Sequence, residues 1–163
     1  MSILDAALQM PIPEIFELSE KARNEVKVQL DEGALMPVRA HADDAGMDLL
    51  TPIDVTIPKD GSEVVDTGCH VLIPKGFYGK LESKSGLNIK NDVVCLGGTI
   101  DAGYTGSIRV KLYNFGSEDY HFSRGEKLVQ LILIPCITPD PVRVTSLGVQ
   151  TERGDNGFGS SGR

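Results

Sequence analysis

No two cysteines of this chain stand close enough in sequence to suggest a disulfide frame or a zinc knot. The three present, Cys69, Cys95 and Cys136, are odd in number, far apart and set in apolar, strand-like runs, so they read as buried thiols of a protein kept in a reducing compartment. The three histidines, His41, His70 and His121, lack metal-ligand spacing, and H-E-x-x-H, C-x-x-C, G-x-S-x-G and G-x-x-x-x-G-K-[ST] are all missing. Those absences exclude zincins, serine-hydrolase elbows and P-loop enzymes. No Lys/Arg cluster or basic stripe occurs, which argues against a nucleic-acid polymer as partner. No apolar run, the one beginning at Leu131 included, is long enough to cross a bilayer, and no basic stretch followed by an apolar one marks the N-terminus. A cytoplasmic protein with no membrane association is expected.

What is present fits one domain. A chain of 163 residues can bury a proper core, and its 18 Gly and 9 Pro are scattered, which implies many turns. The net charge of −7 is uneven: residues 1–66 carry 14 acidic and 5 basic groups, residues 67–163 carry 9 and 11. Surface solvation accounts for a difference of that size, although a field for an anionic ligand would give the same sign.

Residues 1–24 read as an appendage, with Pro11 and Pro13 ahead of a short amphipathic helix ending near Asn24. From residue 25 the pattern turns to short β-branched stretches, predicting strands at 26–30, 53–57, 71–73, 108–113, 128–134 and 142–144, with turns at 58–61, 74–76 and 115–117. One short helix is expected after Ser85. Such spacing predicts an all-β, jelly-roll-like sandwich or barrel over residues 25–146, not βαβ units. Residues 147–163 end in a Gly-rich segment with Phe158 as its one large apolar side chain, too little to pack a core.

Three stretches can carry chemistry. The tail matches G-x-G-x-x-G at Gly157, Gly159 and Gly162, but no strand precedes it and no helix follows, so the dinucleotide reading fails. Its free amides, the Ser160 and Ser161 hydroxyls and Arg153 could still wrap a polyphosphate. In Glu82-Ser83-Lys84-Ser85-Gly86-Leu87, amides, a hydroxyl and an ammonium converge where a helix begins, which suits phosphate; a plain helix cap by Ser83 or Ser85 is the simpler alternative. Gly97-Gly98-Thr99-Ile100-Asp101-Ala102-Gly103-Tyr104-Thr105-Gly106 is a Gly-dense hairpin with one carboxylate and one aromatic ring. It could read a flat base by its edge, or be an ordinary turn.

Taken in order, these segments resemble the five motifs of the trimeric dUTPase family. The first is Ala45-Gly46-Met47-Asp48-Leu49, the second Ser83-Lys84-Ser85-Gly86-Leu87 and the third Gly98-Thr99-Ile100-Asp101-Ala102-Gly103-Tyr104. The fourth runs from Arg124 through Lys127 and Gln130 to Ile132, and the fifth is the tail from Arg153 to Gly162. The resemblance implies a jelly-roll β-barrel with one short helix and a C-terminal Gly-rich arm, assembled as a homotrimer whose active sites are shared between subunits. It implies hydrolysis of dUTP to dUMP and pyrophosphate with Mg²⁺, which keeps uracil out of DNA and supplies dUMP for dTTP synthesis.

By the same resemblance, Asp101 activates the water that attacks the α-phosphorus, and Tyr104 packs under the deoxyribose. Gly98, with Thr99 and Ile100 beside it, and the strand backbone near Arg109 hold the uracil. Lys84, Ser85, Gly86 and Gln130 grip the α- and β-phosphates. Asp48 acts through water, orienting the second motif and magnesium-bound water, while magnesium sits mainly on the phosphates. Phe158 stacks on the uracil, and Arg153 with Gly159, Ser160 and Ser161 clamps the γ-phosphate. Two departures stand out. Lys84 occupies a place where the family usually has Arg, and an ammonium cannot form the bidentate fork of a guanidinium. Asp155 puts an acid near the expected polyphosphate. The rival dCTP deaminases share the fold, but their proton-shuttling Glu is replaced here by Lys111. A nucleotide-dependent regulatory binder is the alternative from another class; retention of Asp101 and Arg153 speaks against a dead site.

Overall fold

The computed structural model describes residues 25–149 and Gly154. The expected helix within residues 1–24, and Arg153 with the remainder of the expected arm beyond residue 149, lie outside the described residues.

Among the described residues, eleven strands and one helix follow in the order β1 (Lys27–Leu30), β2 (Gly46–Leu50), β3 (Val55–Ile57), β4 (Gly61–Asp66), β5 (Cys69–Leu72), β6 (Phe77–Ser83), α1 (Ser85–Asn91), β7 (Val93–Cys95), β8 (Thr99–Ile100), β9 (Arg109–Asn114), β10 (Tyr120–Phe122) and β11 (Lys127–Pro135). Every pairing is antiparallel. The strands form a four-stranded sheet β2-β11-β6-β8, a three-stranded sheet β4-β9-β7, and two ribbons, β1-β5 and β3-β10. Most partners are distant in sequence, as in a jelly-roll-like barrel, the architecture the strand pattern predicted.

Alternation builds the core. Along β9, Val110, Leu112 and Asn114 point inward while Arg109 and Lys111 face out. Val110 and Leu112 join Leu49, Ile57, Val65, Val71, Phe122, Leu128 and Leu131 in one buried cluster. The one buried amide, Asn114, is satisfied: its Nδ2 donates to the carbonyls of Ile57 and Glu118, and its Oδ1 accepts from the Gly116 amide. The turns at 58–61 and 74–76 close as expected, through Gly61 N to Pro58 O at 3.0 Å and Phe77 N to Pro74 O at 3.1 Å.

Two expectations need correction. Residues 142–144 form no strand: Val142 and Val144 are exposed and pair with no strand among the described residues. Of the three thiols only Cys69 is fully buried, and Cys95 and Cys136 are half-buried. Burial pushes the Cys69 thiol up to about 11, and burial with the Glu82 charge pushes Cys95 to about 11.

Candidate active site

The first group of candidate residues gathers at one end of the four-stranded sheet. Asp48 lies in the middle of β2, where its amide and carbonyl both bond to Val38 (2.8 and 3.0 Å), so its backbone is fixed on the side away from β11. Its side chain is only 4% exposed. Such a carboxylate needs partners, and it has two: Lys84 Nζ lies 2.6 Å from Oδ1 and Lys127 Nζ 2.7 Å from Oδ2. Burial pulls the Asp48 carboxyl upward, but the hydrogen bonds from Lys127 and Lys84 outweigh it and hold the group below the usual carboxylate range. Gln130 sits opposite Asp48 on one side and Glu82 on the other, so these three side chains share a sheet face.

Ser85 and Gly86 are exposed at the start of α1. The helix N-cap is Lys84, with no side-chain cap, and the Ser83 hydroxyl accepts from the Cys95 amide at 2.8 Å. Neither Ser83 nor Lys84 therefore occupies the first amides of the helix. A groove of about 440 Å³ beside this turn is lined by Lys84, Gly86, Lys90, Tyr120, Glu126 and Lys127.

The second group lies on the hairpin after β8. The turn Asp101 to Tyr104 is closed by Tyr104 N to Asp101 O (3.0 Å), leaving the Asp101 carboxylate exposed at its tip. Gly98 is held at φ 126° and packs so closely on β6 that a Cβ there would lie 2.4 Å from Leu81 Cβ; only glycine fits. Ile100 is buried and Thr99 exposed, so of these two only Thr99 offers a side chain to a ligand.

The return of the hairpin is fastened to the segment between β4 and β5. Tyr104, 43% exposed, donates its hydroxyl to Ser107 O (2.8 Å), and the Ser107 hydroxyl donates to Asp66. Arg109 Nε donates to the other Asp66 oxygen at 3.2 Å. The Ser107 bond is the main cause, with help from the Gly68 amide and Arg109, of an Asp66 carboxyl held below its ordinary value despite partial burial. The Thr67 hydroxyl donates to Ile108 O (2.7 Å), and Ile108 N donates to Cys69 O (2.9 Å). His70 Nδ1 lies 2.8 Å from Thr105 O, and since a carbonyl only accepts, that nitrogen carries the proton. Its Nε2, 3.2 Å from Asp31 Oδ1, is buried without an aligned hydrogen bond. The Thr105 bond and the Asp31 carboxylate raise the His70 pKa.

The sheet thus unites Asp48, Lys84, Ser85, Gly86 and Gln130 at one end of β6, and Gly98, Thr99, Ile100, Asp101, Tyr104 and Arg109 around the hairpin. It does not bring the two groups together within one chain. Ile100 pairs with Gly79, five residues from Lys84, which puts it roughly 17 Å from Lys84 along the strand direction, whereas Gly98, bonded to the Leu81 amide, is only roughly 10 Å away. Arg153, Phe158, Gly159, Ser160 and Ser161 lie outside the described residues. Sequence reasoning missed Lys127, which was visible only as part of the fourth motif, and Asp66, Thr67 and His70, for which no sequence signal pointed to the hairpin.

An antiparallel barrel that sets a cationic, amide-rich turn and a Gly-rich hairpin with an exposed carboxylate at its surface has the features of a nucleotide-handling protein. A sequence profile of the dUTPase family matches residues 32–162. The chain is 39% identical over 136 residues to the deoxyuridine 5'-triphosphate nucleotidohydrolase of Rattus norvegicus, covering 83% of this chain and 66% of that one. It is 38% identical over 134 residues to the probable enzyme of that name from Schizosaccharomyces pombe, covering 82% and 95%. Among solved structures, the Staphylococcus bacteriophage 80alpha dUTPase G164S mutant with dUpNHpp superposes with a TM-score of 0.80 at 30% identity, over 86% of this chain and 99% of that one. The chain belongs to the dUTPase family.

Proposed function

We propose that this protein hydrolyses dUTP to dUMP and pyrophosphate, water attacking the α-phosphorus and the bond to the bridging oxygen breaking. Its membership of the dUTPase family carries the reading. Asp101, exposed on the hairpin tip, is the group that accepts the proton of the attacking water. Tyr104 packs beneath the deoxyribose, held at that place by its bond to Ser107. Gly98, Thr99, Ile100 and the backbone near Arg109 read the uracil edge. Lys84, Ser85, Gly86 and Gln130 grip the α- and β-phosphates. Arg153, Phe158, Gly159, Ser160 and Ser161 of the 147–163 arm close over base and γ-phosphate, excluding bulk water.

Magnesium fits this reading as a passenger of the substrate. Both Asp48 oxygens already accept from ammonium groups, and no three metal-ligating side chains converge among the described residues. Asp48 then acts on magnesium only through water, and the cation supplies charge neutralisation on the phosphate oxygens. The roughly 17 Å between Ile100, where the chain enters the Asp101 turn, and Lys84 supports a homotrimer in which the hairpin of one subunit meets the phosphate-gripping turn of another. Unpaired Cys69, Cys95 and Cys136 favour a reducing, cytoplasmic setting. Residues 1–24 stand as an appendage to the 25–146 barrel.

The test is turnover of dUTP, dTTP, dCTP and UTP, each separately with Mg²⁺, products being resolved chromatographically. Release of dUMP and pyrophosphate from dUTP alone is expected; conversion of dCTP to a uracil nucleotide, or binding of dUTP without turnover, overturns the reading. Mixing refolded Asp101→Asn and Arg153→Ala chains should recover activity through hybrid trimers, and a mixture no more active than its parents excludes shared sites.

A further inference from the structure

The two lysines on Asp48 reach it by different routes. Lys84 follows the end of β6 directly. Lys127 depends on an irregularity in β11, whose pairing with β2 shifts between Lys127 and Val129. Continuing the pairs Gln130 with Asp48 and Val129 with Leu49 without interruption would set Lys127 opposite Thr51, on the sheet face away from Asp48. The extra residue, Leu128, instead sets Lys127 opposite Leu50, two residues from Asp48 and on its face. Leu128 and Val129 are in consequence buried in succession, which a regular strand with one solvent face does not allow. The bulge turns a surface lysine onto a buried carboxylate.

We propose that Lys127 is a positioning residue of the phosphate site, sharing with Lys84 the two oxygens of buried Asp48 and so fixing the Lys84-Ser85-Gly86 turn against β11 and Gln130. An ammonium is a point donor that satisfies one carboxylate oxygen, at 2.6 Å for Lys84 and 2.7 Å for Lys127. With Lys84 alone, one oxygen of a carboxylate that is 4% exposed would keep its charge unpaired, and the turn would lose its second anchor. A guanidinium at position 84 would reach both oxygens through two parallel N–H groups, which makes Lys127 dispensable in that background alone. This inference rests on the dUTP-hydrolysing reading for its kinetic half and on the Asp48 geometry for its structural half.

The experiment compares four full-length proteins: wild type, Lys127→Met, Lys84→Arg, and the double variant. For Lys127→Met the KM for dUTP should rise about tenfold, the size of coupling usual between charged groups in contact, with kcat little changed. The double variant should return to near the wild-type KM. Lys127→Met with wild-type KM, or a double variant as impaired as Lys127→Met, overturns the proposal. Melting temperatures of the same four proteins form a parallel cycle, in which Lys127→Met is expected to melt lower and the double variant to recover. If even the wild type fails to turn over dUTP, the proposed reaction falls, and the melting cycle decides the inference: recovery sustains it and additivity overturns it. Should Lys127→Met not fold, folding of the double variant supports the proposal and its failure to fold refutes it.

Discussion

The two halves of the candidate site are built on opposite principles. Around Asp48 the geometry comes from charge: a buried carboxylate on β2 meets the ammonium groups of Lys127, on β11, and Lys84, at the turn that follows β6. Around Asp101 it comes from backbone: the hairpin carries an exposed carboxylate, and its return is fastened through the Ser107, Thr105 and Ile108 carbonyls to donors at Tyr104, His70 and Thr67. The charged half holds something by its own side chains. The hairpin half presents a shape and one exposed carboxylate, and Thr67 and His70, at and beyond the β4–β5 turn, help to keep that shape.

If that contrast holds, Asp101 can be altered without disturbing its support. Asp101→Asn should lower kcat by about 10² to 10⁴, the usual contribution of a general base, while dUTP affinity and melting temperature stay near wild type. A parallel loss of stability would show that the carboxylate also holds the hairpin. Gly98→Ala attacks the shape directly: with φ at 126° and Leu81 Cβ 2.4 Å from the new methyl, about 2 to 4 kcal/mol of stability should be lost in urea unfolding. An unchanged midpoint would mean that β8 can move away from β6 at little cost.

Thr67→Val removes a hydroxyl that donates to Ile108 O and accepts from the Cys69 amide at 3.2 Å, leaving a buried amide without that partner. About 1 to 3 kcal/mol should be lost, with a rise in KM because the hairpin loosens. A stability loss with unchanged KM would separate the loop from the site. The smallest effect belongs to His70, whose ring faces the Asp31 and Asp66 carboxylates and shares a cavity wall with Lys27. Its folded pKa is raised, so the stability it contributes is complete below its unfolded value near 6.5 and fades as pH rises through the folded one. The melting difference between wild type and His70→Gln should therefore be largest in mild acid and close in alkali; a pH-independent difference would remove His70 from the latch.

Strands were legible where β-branched residues dominate. The expectation of 108–113 became Arg109–Asn114, that of 128–134 became Lys127–Pro135, and 26–30 became Lys27–Leu30. No strand was expected at β2 or β6, where Gly46-Met47-Asp48 and Gly79-Lys80 supply no β-branched residue. Pairing of both with β11 overrides that lack, and Gly79 is required because a Cβ there would lie 2.9 Å from Leu131 Cδ1. Val142 to Val144 failed in the other direction, having strand-like residues but no strand beside them. In the candidate site, the order of the motifs pointed to Asp48, Lys84 and Asp101. Lys127 stayed hidden because its orientation depends on one extra residue in β11, and a strand's register cannot be read from the strand alone.

Strand β6 has a further consequence as a ruler. Residue by residue it separates Ile100, paired with Gly79, from the Lys84 turn just beyond its end. Loops at the barrel surface can lengthen without altering that interval. Inserting two residues within Phe77–Ser83 would keep every side chain on its proper face and yet stretch the interval by about 7 Å. In the proposed trimer, the span of one triphosphate across a subunit boundary would then no longer match.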